Sequence, residues 1–74
     1  MQVNRSELLA LRHRYRSAYT SYLSCVQALS DVALNASRPS RELIDSEASS
    51  LKEVTEARKA LLRAILTEIE TGAL

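Results

Sequence analysis

Apolar positions recur along this chain with a helical period rather than the two-residue alternation of a strand. Leu8, Leu11, Tyr15, Ala18, Tyr22, Cys25, Leu29, Val32 and Ala36 fall at alternating spacings of 3 and 4, and none is charged. A heptad held over this length specifies a helix with one buried seam. Tyr19, Val26 and Ala33 each follow a seam position by one residue and, with Leu23, widen the stripe. A bare seam suits a two-stranded coiled coil, whereas a wider stripe suits a bundle. In the second half Leu43, Ile44, Ala48, Leu51, Val54, Ala57, Leu61, Leu62, Ile65, Leu66 and Ile69 map to a broad apolar face, less strict than a heptad.

Boundaries follow from the few residues that punctuate helices. Asn4 fits an N-cap, Glu7 three residues later completes a capping box, and Val3 with Leu8 forms a hydrophobic staple. Pro39 disfavours helical geometry at Arg38, so the spacing predicts a first helix over about 5–37 and a turn over about 37–40. The second helix then covers about 40–71, with Pro39 at its first position or Ser40 as its cap, and Gly72 just past its end. A short turn between long helices makes them antiparallel neighbours. The predicted fold is all-α, a single helical-hairpin domain over 1–74. Residues whose numbers sum to about 76 are expected side by side: Leu11 by Ile65, Tyr15 by Leu61, Tyr22 by Val54 and Leu29 by Glu47.

Size then changes what this hairpin implies. A chain of 74 residues has a marginal core, and one Cys and one His exclude a disulfide framework and a structural zinc site. Both apolar faces are wider than the strip a hairpin buries, and soluble monomers rarely leave such a patch exposed. Two hairpins packed face to face as a C₂ four-helix bundle cover it. The expected core and dimer interface comprises Leu8, Leu11, Tyr15, Tyr19, Tyr22, Val26, Leu29, Ile44, Leu51, Val54, Leu61, Ile65 and Ile69. A protein partner of different sequence is the alternative occupant of the second half.

Charge adds two candidates. Glu47 and Arg58 interrupt the apolar face of the second helix three turns apart. In an antiparallel dimer each can approach the other across a two-fold near residues 52–53, fixing register as buried ion pairs do. Arg5, Arg12, Arg14 and Arg16 form a basic patch on a chain whose net charge is only +1. The patch either contacts phosphate or lies beside Glu68 and Glu70, offsetting unfavourable helix-dipole placements. The tyrosines coincide with the seam and read as packing residues, Cys25 as a small buried hydrophobe, and His13 as an exposed residue without a second ligand.

No serine has a histidine and an acid placed to form a triad, and no glycine loop exists to cradle phosphate. No catalytic, cofactor or metal site is expected, and no enzyme. With no membrane-length apolar run and no signal-like leader, the expected location is cytoplasmic. The functional expectation is a non-enzymatic helical interaction module that self-associates and binds a protein partner or organises an assembly. Alternatives are a small nucleic-acid-binding regulator acting through the basic patch and a small secretion-type chaperone or co-chaperone.

Overall fold

The computed structural model describes residues 4–72. Two helices, α1 (Arg5–Leu34) and α2 (Arg41–Thr71), pack against each other as an antiparallel hairpin, with no strand among the described residues. The molecule is a rod of 53 × 15 × 14 Å with a radius of gyration of 16.5 Å. A compact domain of this length has a radius of gyration of only about 11 Å. The rod shape exposes 5788 Å², whereas a compact monomer of this mass exposes about 4,500 Å².

The ends of the helices show why the sequence folds here. Asn4 caps α1, its Oδ1 accepting from the Glu7 amide at 2.8 Å. Glu7 reaches back to the Asn4 side chain, whose Nδ2 donates to Oε1 at 3.5 Å, not to the backbone amide of the expected capping box. Val3, the other half of the expected staple, lies outside the described residues.

The far end of α1 departs from the predicted boundary. The helix stops at Leu34, three residues before the predicted 37. Ala36 adopts the left-handed conformation at φ 56°. Its amide donates to Ala33 O, and the Ser37 amide donates to Val32 O. This pair of bonds is a Schellman motif, normally built on glycine. Asn35 assists by donating its side-chain amide to Asp31 O at 2.9 Å. The stop is therefore set by Asn35 and Ala36 and not by Pro39, and Ala36 leaves the seam.

Ser40 is the cap of α2, its hydroxyl accepting from Leu43 N at 3.1 Å, so Pro39 lies before the cap and not at the first helical position. Gly72 closes α2 with φ 73°, and its amide donates to Ile69 O at 3.1 Å.

Between the helices the buried apolar residues are small. Ala57 is fully buried, and Ala18, Val54 and Ala64 nearly so, with Tyr15 and Tyr22 packed against the Ala18–Val54–Ala57 cluster. No large side chain is fully buried. Residues 43, 47, 50, 54, 57, 61, 64 and 68 are all at least half-buried, which makes the α2 seam a strict heptad. It reads as irregular in the sequence because Glu47, Ser50 and Glu68 occupy three of its positions.

Cross-helix contacts join Arg14 to Glu53, Tyr22 to Glu47 and Cys25 to Ser50. Paired numbers thus sum to between 67 and 75, and Glu47 lies by Tyr22 instead of Leu29. The sequence register of 76 assumed pairing outward from a tight turn. The capped connection over 35–40 shifts α2 relative to α1.

Candidate interaction surface

The hairpin has two broad faces, and the Arg14–Glu53 pair identifies one of them. Arg14 Nε donates to Glu53 Oε1 at 3.0 Å. Each residue immediately precedes a seam position, Tyr15 in α1 and Val54 in α2. Positions one before the seam therefore share this side, and positions one after it share the opposite side.

The first side is polar. A shallow groove on it is lined by Arg14, Ser17, Ser21, Ser49, Ser50 and Glu53. Around it stand Glu7, Asp31, Glu42 and Glu56, against which Arg63 is the further cation. The Arg14–Glu53 pair is half exposed, so it orients the side chains more than it stabilises the fold.

The opposite side is apolar. From α1 it presents Leu9, Tyr19, Leu23, Val26 and Ala33, and from α2 Ile44, Ala48, Leu51, Leu62, Ile65 and Ile69. Leu9, Tyr19, Leu23, Ile44, Leu51, Leu62 and Ile69 retain between 39% and 57% of their surface. The physical reason lies in the seam. Alanine, serine and cysteine at the contact let the helix backbones approach closely, and large residues beside them project past the partner helix. Leu66 is exposed on the outer edge of α2, next to Arg63 and Glu70.

The apolar side carries Arg5, Arg12, Arg16 and Arg58 and, at the connection end one heptad before Ala48, Arg41, which pairs with Asp45 at 3.5 Å; the positions one after the seam hold no acid. The first four belong to the open half of the hairpin, away from the connection. Leu9, Arg12 and Arg16 line one shallow depression, and Arg58 and Leu62 line part of another. Arg14 is turned to the polar side, so the predicted patch of Arg5, Arg12, Arg14 and Arg16 is divided between two faces. Arg14 pairs with Glu53; of the two acids predicted beside the patch, Glu70 is exposed on the outer edge and Glu68 is buried in the seam.

Glu47 and Arg58 also separate. Glu47 is half-buried in the seam, hydrogen-bonded to Tyr22, while Arg58 is exposed on the apolar side. Partial burial raises the Tyr22 phenol above its ordinary pKa of 10.0, and the Glu47 carboxylate raises it further by charge and by hydrogen bond.

The predicted interface residues fall into two sets. Leu8, Leu11, Tyr15, Tyr22, Leu29, Val54 and Leu61 pack within the seam of one chain, whereas Tyr19, Ile44, Leu51 and Ile69 are exposed on the apolar side and Val26 and Ile65 are half-buried at its edge. Tyr15 and Tyr19 bridge the two sets, their ring centroids 6.1 Å apart. Ala18 and Ala57 lie on the apolar faces read from the sequence, whereas Ser50 and Ala64 went unassigned there, although the 3–4 spacing through positions 43–68 contains them.

Among the described residues no group of three or more His, Cys, Asp or Glu is placed to hold a metal ion, and no helix is long and apolar enough to cross a membrane. Compared with protein-family models, with curated proteins and with solved structures, the chain matches none.

Proposed function

We propose that this protein is a non-enzymatic helical interaction module that self-associates through its apolar side into a homodimeric four-helix bundle. The observation that carries this reading is the exposed apolar side. The most deeply buried apolar residues of the seam are Ala18, Val54, Ala57 and Ala64, and Leu9, Tyr19, Leu23, Ile44, Leu51, Leu62 and Ile69 stand exposed together on one side of it. Fully burying such a side chain contributes about 1.5–3 kcal/mol, so a second apolar surface is the main stabilisation still open to the chain. The excess exposed area is of the order that specific protein interfaces bury, roughly 800 Å² or more per partner. The opposite side, polar and rich in serine, remains in water and is free to meet another protein or to join an assembly.

Light scattering across a concentration series tests the reading. The expected molar mass is twice the 8.2 kDa of one chain. A clean monomer at all concentrations overturns it and leaves the apolar side for a partner of different sequence.

A further inference from the structure

The charge map of the apolar side decides how two copies are oriented. This inference rests on self-association through that side, as proposed above. Two face-to-face arrangements have two-fold symmetry. In one, the axis runs along the rod, and the connections of both hairpins lie at the same end. Helix α1 of one copy then stacks on α2 of the other at the same height. On the observed register, Arg58 of α2 lies at about the height of Arg12 and Arg16 of α1. This arrangement sets Arg12 and Arg16 of each copy against Arg58 of the other, twice over, with no acid of the apolar side or the adjoining seam at that height. Like charges so placed in an interface oppose association.

In the other arrangement the axis crosses the rod, and the connections lie at opposite ends. Helix α2 then packs antiparallel on α2 of the second copy, and α1 on α1. Arg5, Arg12 and Arg58 of each face then lie over the half whose cation, Arg41, is already paired with Asp45, and only Arg16 stays near the axis. We infer that the dimer is of this second kind, with Arg58 of each copy meeting Glu47 of the other.

Two independent features of the fold converge on it. Pairing Glu47 with Arg58 places the axis at residues 52–53 of α2. Cross-helix contacts with sums of 67 to 75 put that height beside Ala18 and Tyr19, close to the middle of α1. The register that forms the ion pair is thus also the one that overlaps the two apolar sides most completely. It brings Tyr19, the exposed aromatic of this side, to the axis opposite its own copy. Glu47 lies beside Tyr22 in the seam and keeps part of its surface open toward a second copy.

Two measurements on the full chain test this, after light scattering has established the dimer. A spin label on Ser37→Cys in a Cys25→Ala background reports the separation of the two connections. In the crossed dimer they lie about 45 Å apart along the rod, from 1.5 Å per residue. A separation below about 25 Å, expected from helices packed side by side at one end, overturns the inference.

The second measurement is charge reversal. Arg58→Glu sets two acids together in the crossed dimer and is expected to weaken dissociation constants roughly tenfold or more. Reversing both partners in Glu47→Arg/Arg58→Glu restores association. In the alternative arrangement Arg58→Glu relieves an arginine cluster and tightens the dimer, the opposite sign. An unchanged or tighter dimer overturns the pairing while leaving self-association intact, whereas a wild-type monomer removes the premise itself.

Discussion

At the scale of single residues, two positions hold conformations or protons at a cost the sequence does not advertise. Ala36 carries the left-handed backbone of the α1 stop, a conformation in which Cβ crowds the following carbonyl. Glycine removes that crowding, although it also gives the unfolded chain more freedom. Ala36→Gly is expected to raise stability by about 1 kcal/mol, read as a shift in the midpoint of urea unfolding at unchanged slope. Tyr22 has the opposite character. Its phenol pKa is raised in the folded chain, so the neutral form is favoured by folding. Its contribution is fully present below pH 10 and is lost as pH rises through the raised folded value, because the unfolded chain gives up the proton first. Urea unfolding as a function of pH is expected to show stability falling above pH 10, and Tyr22→Phe to flatten that fall. An equal fall in the variant would assign the effect to other groups.

Helices are the scale at which caps and seams act. Ser40 supplies the oxygen that satisfies the Leu43 amide at the start of α2. Ser40→Ala is expected to cost about 1 kcal/mol of stability, seen in thermal unfolding followed by circular dichroism. The seam imposes the stricter condition. Ala57 is fully buried between the helices, and its neighbours Ala18 and Val54 complete the contact. Ala57→Leu adds volume where the backbones are close, and is expected to cost about 1–3 kcal/mol or to spread the helices. The same substitution at Ala48, exposed on the apolar side, is expected to be tolerated. A seam variant as stable as the parent would show that the helices are not held by close approach at Ala57.

For the whole molecule the two faces matter more than any one contact. Leu51 lies near the proposed two-fold, on the apolar side. Leu51→Asp is expected to reduce the molar mass in solution to that of one chain, while Ser49→Asp, on the polar side, leaves it unchanged. If both substitutions act alike, the faces do not differ as the proposal requires. The hairpin itself was legible from the pattern, since the α1 heptad from Leu8 to Val32 is at least half-buried at every position. Its caps at Asn4 and Ser40 and its close at Gly72 were legible for the same reason, because each is a local hydrogen-bonding preference. The α1 stop was not, because an alanine in the left-handed region leaves no compositional sign. Nor was the α2 seam, because apolar character was taken as the mark of burial. Glu47, Ser50 and Glu68 are polar and lie in the seam, while Ile44, Leu51 and Ile69 are apolar and lie outside it.

Period and capping are properties of neighbouring residues, so the sequence by itself determined two helices, their approximate ends and their antiparallel pairing. Which of several apolar stripes meets the other helix depends on how closely the backbones approach, and small residues win that contact over larger ones. Only the tertiary structure therefore decided that Ala57 and Ala64 are buried against α1 and that Ile44, Leu51, Leu62 and Ile69 lie beside the α2 seam on one side. It also decided that Arg14 is turned away from Arg12 and Arg16 toward Glu53, and that Glu47 lies beside Tyr22 in the seam. The division into an apolar, cationic side and a polar, acidic one arises because the rotation of each helix about its own axis is fixed by packing, not by the order of its residues alone.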